Sequence, residues 1–214
     1  MGDIFSIEAL TATLYALPGI ILGFSLHEFS HAYAAYKLGD NTAKNMGRLT
    51  LDPVVHIDPV GFIMLILFHF GWAKPVPVNS NNFKHPKMDD NIVSLAGPAS
   101  NFILAILLAG VIKLFYVLNA PDTFLVNIIL QVLLLGVIVN IGLGIFNLLP
   151  IPPLDGSHLL FNLLPAKYSN KLMEHYNTII IIALLLMFTG AFGYVIRPAI
   201  NWVLGVIFGM YGIS

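Results

Sequence analysis

The sequence predicts an all-α protein that crosses a membrane several times. Of its 214 residues, 57% are hydrophobic and only 10% are charged, whereas about 25% are charged in an average soluble domain. The apolar residues form long segments, and a helix that spans a bilayer needs roughly 20 of them in succession. These features predict about five to six transmembrane helices, with a re-entrant or strand-like loop after the first.

Five apolar segments are long enough to span a bilayer, the fourth only just. In chain order they cover residues 11–38, 92–118, 124–149, 176–192 and 194–211. No polar stretch is long enough for an appended soluble domain, so we expect residues 1–214 to form one membrane domain. Its core covers about residues 11–156, and two additional C-terminal helices cover about residues 176–214.

A sixth apolar segment, residues 60–72, is too short for a full crossing. Basic residues flank it on both sides, with Arg48 before it and Lys84 after it. Positively charged loops tend to stay on the cytoplasmic side, so we expect this segment to enter the membrane and return. The N-terminus then lies outside, and the helix that starts near Ile92 runs outward.

Prolines and valines alternate in residues 73–79, which favours an extended edge over a helix. Such an edge can bind an extended peptide by strand addition. Alternate side chains of a strand share one face, so we expect Val76 and Val78 to contact a bound peptide or the membrane together.

Composition also limits the possible chemistry. With a net charge of −1 and no long basic run, the chain lacks the electrostatic footprint of a nucleic-acid-binding protein. Cysteine is absent, so disulfides and thiolate ligands are excluded. Any metal must therefore be held by His, Asp or Glu.

The run from His27 to His31 is the main candidate for catalysis. Residues four apart share a helix face, so His27 and His31 can both present an imidazole to one metal ion. Glu28 lies where zinc hydrolases carry the base that takes a proton from the attacking water. The alternative is a chance pentapeptide, but a carboxylate and two imidazoles in a membrane helix are costly without a polar partner. We therefore expect metal-dependent hydrolysis inside a membrane.

Asp155 is the best candidate for the third protein ligand that a catalytic zinc site usually has. Prolines within residues 150–153 cannot continue a regular helix, and irregular backbone at membrane depth is tolerated where it lines a cavity. Asp155 could instead form a turn or helix cap before Gly156. His158 could support the site from outside the ligand set, be an alternative ligand, or lie at the interface by chance.

Several motifs follow one another between about Leu26 and Gly156. They are His27-Glu28-x-x-His31, Gly97-Pro98-Ala99-Ser100-Asn101, Asn147-x-x-Pro150, Leu154-Asp155-Gly156, and loop motifs within residues 47–61 and 72–79. In these motifs and in their order the chain resembles the site-2 protease family of intramembrane zinc metalloproteases, and its loop motifs resemble the compact prokaryotic branch.

The resemblance implies one zinc ion, with His27, His31 and Asp155 as ligands and Glu28 as the general base. It also implies that Asn147 stabilises the substrate oxyanion or positions the scissile peptide. The expected substrate is a transmembrane protein, cut within or near its membrane-spanning segment in regulated intramembrane proteolysis. The expected location is the cell membrane of a prokaryote, as a multi-pass protein in contact with the lipid bilayer.

Other residues and other functions have plainer interpretations. Asn101 is expected to pack helices together. His56, His69, His85 and His175 are expected in loops or at membrane interfaces. The alternative functions are a non-enzymatic membrane metal-binding or transport protein and an inactive scaffold that binds helices. Glu28 argues against both, because a carrier has no evident need for a general base between its ligands.

Overall fold

A computed structural model of the protein describes residues 6–68 and 70–213. Over these residues the chain is almost entirely helical, and the extended pairing is limited to an isolated bridge between Ile57 and Ala73. The α-helices described are α1 (Ile7–Lys37), α2 (Thr42–Asn45), α3 (Pro59–Phe68), α4 (Pro86–Val117), α5 (Phe124–Asn147), α6 (Asp155–Leu163), α7 (Ala166–Glu174), α8 (Tyr176–Phe188) and α9 (Ala191–Tyr211). The predicted all-α architecture is confirmed.

Four of these helices, α1, α4, α5 and α9, are long and apolar enough to cross a membrane. The apolar helices α3 and α8 have only 10 and 13 residues, fewer than the roughly 20 that a crossing needs. The predicted fourth span is interrupted because Gly190 adopts a left-handed conformation, with a φ of 74°, before α9 begins. Within the described ranges, the predicted five to six spans therefore correspond to four long helices and two short apolar ones.

Helices α1, α4 and α5 form the centre of the bundle. Gly19 contacts Gly136 and Gly23 contacts Asn140, so α1 and α5 run in the same direction. Hydrogen bonds between α4 and α1 show that α4 runs in the opposite direction. A side chain at Gly19 would collide with the backbone of Gly136, and small residues are the usual means of bringing membrane helices this close.

The main apolar core lies between α4, α5 and α9. Its buried residues are Ala105, Ala109, Ile112, Val137, Ile141 and Ile207. This core lies toward the C-terminal half of α4, whereas the two histidines of α1 contact its N-terminal half. The apolar core and the candidate site therefore occupy different levels of the bundle.

The segment that contains α3 returns to its starting point. Ile57 forms an antiparallel bridge with Ala73, and the Lys74 N–H donates to the His56 carbonyl at 2.8 Å. Both ends of the segment therefore lie together, which agrees with the expectation that it enters and leaves on one side.

Asp40 fixes the far end of the extended segment 73–79. Its fully buried carboxylate accepts hydrogen bonds from Thr42, from the Asn79 N–H and from the Asn82 amide. Burial alone would raise the pKa of the Asp40 carboxyl, but these hydrogen bonds outweigh burial and lower it. The extended segment is thus tied to the residues that follow α1.

Candidate metal centre

His27, Glu28 and His31 lie in the last third of α1 and are buried in the bundle. Their exposed fractions are 8%, 7% and 8%. Since a helix rises about 1.5 Å per residue, the histidines lie about 9 to 15 Å before the end of α1. The site is therefore inside a helix long enough to span, yet close to one of its ends.

The turn after α5 brings Asp155 to the two histidines. Residues 150–153 leave the helical path, and α6 begins at Asp155. Gly156 permits this fold, because a side chain there would collide with the Leu148 carbonyl. Asp155 Oδ2 lies 3.1 Å from His27 Nε2 and 3.3 Å from His31 Nε2. The two Nε2 atoms are 3.0 Å apart, so three possible ligand atoms meet at one point.

The hydrogen bonds of the two Nδ1 atoms determine which species can bind between the three ligand atoms. His27 Nδ1 lies 2.7 Å from Asn101 Oδ1, and His31 Nδ1 lies 2.7 Å from the Val93 carbonyl oxygen. Because both acceptors lack a hydrogen, each Nδ1–H is the donor, and a neutral ring then carries its lone pair on Nε2. Asp155 Oδ2 is buried and has no hydrogen-bond donor. Two lone pairs and a carboxylate oxygen thus converge, and only a cation can satisfy all three.

Zinc fits this set of ligand atoms. Bonds of about 2.0–2.2 Å in a tetrahedron separate neighbouring ligands by about 3.3–3.5 Å, close to the 3.0–3.3 Å found between these atoms. The ionised carboxylate and two imidazoles leave a fourth position open, as catalytic zinc sites do.

Glu28 lies beside this cluster without belonging to it. Its Oε2 accepts a hydrogen bond of 2.7 Å from the Val76 N–H. This contact brings the extended segment alongside the site, and Pro75 of the same segment lines the adjacent cavity. Glu28 therefore has the placement of a base that is held near a metal rather than bound to it.

A cavity of about 400 Å³ adjoins His27, Glu28 and Asp155. Its walls are mostly apolar and include Phe24, Trp72, Phe146, Ile180, Ala183, Leu184, Met187 and Phe192. Four of these residues belong to α8, so this short helix forms one side of the cavity. The cavity suits apolar side chains such as those of membrane-spanning segments.

Asn147 lines the same cavity. Its Nδ2 donates to the Leu143 carbonyl of its own helix at 3.0 Å. This placement differs from a simple packing role, in which the amide would bond to another helix.

Two buried asparagines matter more than the sequence indicated. Asn101 joins α4 to α1 and α5, as expected of a packing residue, and nothing in the sequence distinguishes Asn140. Both are fully buried. Asn101 contacts His27, and its Nδ2 donates to Asn140 Oδ1 at 3.0 Å. An amide in an apolar helix was the available signal, but one sequence does not reveal which residues such an amide faces.

His158 lies outside the ligand cluster and joins α6 to α4. Its Nδ1 is 3.1 Å from Asp90 Oδ2, and its side chain is 54% exposed. The hydrogen bond to Asp90 raises the pKa of the His158 imidazole. Asn162, one turn further along α6, donates to the same Asp90 oxygen at 2.8 Å. His158 thus ties the helix that begins at Asp155 to α4, and its role in the site stays a prediction.

The remaining histidines lie away from the cluster. His56 is in a loop, as expected, but it is fully buried, and its Nε2–H donates to the Thr50 carbonyl at 2.8 Å. His85 and His175 are exposed residues next to helix ends, and His69 lies outside the described residues. Their placement in loops agrees with the expectation for His85 and His175.

Known proteins similar to this chain are metalloproteases by name. The family model described as Peptidase family M50 matches residues 108–189. YwhC of Bacillus subtilis, named as a zinc metalloprotease, is 39% identical over 201 residues, which cover 93% of this chain and 91% of YwhC. Rip2 of Mycobacterium tuberculosis, also named as a zinc metalloprotease, is 30% identical over 208 residues, covering 92% of this chain and 73% of Rip2. No solved structure matches the chain.

Proposed function

Because the chain belongs to peptidase family M50, the site-2 protease family of zinc metalloproteases, we propose that it hydrolyses peptide bonds within or near transmembrane segments of other proteins. The observation that carries this proposal is the cluster of His27, His31 and Asp155 with Glu28 beside it. The cluster is buried among spanning helices and adjoins an apolar cavity. Such a site is accessible to a substrate that is itself in the membrane.

We assign His27, His31 and Asp155 as the zinc ligands. When bound, zinc polarises the scissile carbonyl and acidifies a water molecule. Glu28 accepts the proton from this water and delivers it to the leaving amine. Since the Val76 N–H holds Oε2 of Glu28, Oε1 is the oxygen assigned to proton transfer.

Asn147 is proposed to stabilise the negative charge that develops on the substrate carbonyl oxygen. Its Nδ2 donates one hydrogen to the Leu143 carbonyl, and the second hydrogen of the NH₂ group is available for the substrate oxygen. The amide lines the cavity from which the substrate would approach.

The extended segment is proposed to align the substrate. A peptide bond inside a helix is a poor target, so the substrate must adopt an extended form near the site. Val78 packs against the cluster of Ala35, Phe83 and Val93, and the expected joint contact of Val76 and Val78 with substrate is therefore not supported. We assign alignment to the part of the segment around Val76.

The protein is an integral, multi-pass membrane protein, as its four long apolar helices and its family indicate. YwhC and Rip2 are proteins of bacteria. We propose the bacterial cell membrane as its location, and a single-span or multi-span membrane protein as its substrate.

The test of this function is the variant Glu28→Gln. We expect it to abolish cleavage and to retain zinc, because Glu28 is assigned as the base and not as a ligand. Purified enzyme and variant are incubated with a panel of single-span membrane proteins, with and without a chelator, and zinc is measured in each. A Gln variant that cleaves at the wild-type rate rejects the proposal.

A further inference from the structure

A chain of amide groups connects the contact between α1 and α5 to His27. Asn140 Nδ2 donates to the Gly136 carbonyl at 2.9 Å and to the Gly19 carbonyl at 3.0 Å. Both hydrogens of this amide are used on oxygens that cannot donate in return. The orientation of the Asn140 amide is therefore fixed, and its Oδ1 must face Asn101.

Both amide hydrogens of Asn101, which lies closer to the metal centre, are used in the same way. Its Nδ2 donates to Asn140 Oδ1 at 3.0 Å and to the Gly23 carbonyl at 3.2 Å. Its Oδ1 is left to accept from His27 Nδ1 at 2.7 Å. That nitrogen must then carry the hydrogen, and Nε2 presents its lone pair to the ligand cluster.

We propose that Asn140 is a positioning residue for the metal centre, acting through Asn101 to select the form of His27 that binds metal through Nε2. The proposal rests on the assignment of His27 as a ligand. Reversing the Asn101 amide would place its NH₂ group against the His27 Nδ1–H and its oxygen against the Gly23 carbonyl. Unsatisfied polar groups of this kind are costly in a buried, low-dielectric setting, so a single orientation prevails.

Helix α1 has a glycine where it meets this chain of amides. A side chain at Gly23 would collide with Asn140 Oδ1. His31 needs no such device, because its Nδ1–H donates to the backbone carbonyl of Val93, which has no second orientation. The amide chain therefore serves the one histidine whose partner could otherwise turn around.

The test compares Asn140→Leu, Asn101→Leu and the double variant. Leucine keeps the branched shape of asparagine without its polar atoms, although it is larger, and the Gly19 and Gly136 carbonyls keep their helical N–H partners. Loss of an outer partner typically weakens metal binding by about 10–100-fold. We expect about tenfold weaker zinc binding for Asn140→Leu, a larger loss for Asn101→Leu, and no further loss in the double variant. Zinc affinity is measured by competition with a chelator.

The control is Val137→Ala, on the same helix and also fully buried. It removes core volume, so it lowers the thermal midpoint, but it leaves the amide chain intact and its zinc affinity should match the wild type. A second readout is the NMR signal of the His27 Nδ1 proton in the ¹⁵N-labelled, zinc-bound protein, assigned by comparison with His27→Gln. This signal should move upfield and exchange faster in Asn140→Leu, and should stay unchanged in the control.

Wild-type zinc affinity and an unshifted proton signal in Asn140→Leu overturn the proposal, as does a double variant in which the two losses add. If Asn140→Leu does not fold, Asn140→Ala gives the same comparison with a smaller apolar side chain. The proposed protease function is judged separately by Glu28→Gln, since that variant keeps the amide chain intact. Failure of one proposal can thus be told from failure of the other.

Discussion

Gly97 determines how closely α4 can approach the metal centre. A Cβ atom at this position would lie 2.6 Å from His31 Cε1 and 2.7 Å from His27 Cε1. Neither ring can turn away without losing its hydrogen bond at Nδ1. The two imidazoles can therefore face each other at this depth because residue 97 has no side chain.

The variant Gly97→Ala should reduce zinc affinity and cleavage together, by about tenfold or more, because the added methyl displaces both rings. Chelator competition and peptide cleavage measure the two effects. The matched control is Gly205→Ala in α9, where an added Cβ meets nothing within 4 Å. Unchanged zinc affinity in Gly97→Ala would contradict this account of the site.

Replacement by alanine should lower zinc content and activity much more at Asp155 than at His158. Asp155→Ala removes the carboxylate at the point where the histidines meet, so zinc content and activity should fall together. His158→Ala should have a smaller effect, because His158 is half exposed and Asn162 still bonds to Asp90. Metal analysis of both purified variants decides the matter, and full zinc occupancy without Asp155 would refute its assignment.

At the scale of elements, the extended segment has two roles, one at Val76 and the other at Val78. The Val76 N–H holds Glu28, while the Val78 side chain packs into a small core beside α1 and α4. A substitution in this segment therefore acts on catalysis or on stability according to which side chain it changes.

Val76→Ala should slow the cleavage of long substrates, because Val76 lies in the part of the segment assigned to substrate alignment. The thermal midpoint should stay unchanged, because the hydrogen bond to Glu28 comes from the backbone. Val78→Ala should instead lower stability by about 1 kcal/mol through lost apolar burial. Kinetics and thermal melts of the two variants give the comparison. If Val76→Ala loses activity only in step with unfolding, its alignment role is excluded.

At the scale of the whole molecule, the segment that contains α3 determines the number of crossings between α1 and α4. If it returns to the side from which it enters, Asn45→Cys and Lys84→Cys should both be labelled from the same face of intact membranes by an impermeant thiol reagent. The chain has no native cysteine, so each label reports one position. Labelling from opposite faces would show that the segment crosses.

The sequence was most informative where chemistry is local. His27 and His31 share a helix face at a spacing of four, and the prolines before Asp155 indicate a turn; neither inference needs knowledge of the fold. The amide chain could not be predicted, because Asn101 and Asn140 meet only after α4 and α5 have packed. The length of α8 was overestimated because hydropathy does not register the left-handed conformation of Gly190.

The contact between Gly19 and Gly136 also determines which molecule must move during catalysis. It brings the backbones of α1 and α5 close together about two turns before His27 and about three turns before the end of α5. Sliding of one helix along the other would bring side chains into this close contact, so we expect α1 and α5 to keep their relative position. We therefore expect the substrate rather than the enzyme to deform, so that the rate of cleavage should depend on how easily the substrate helix unwinds.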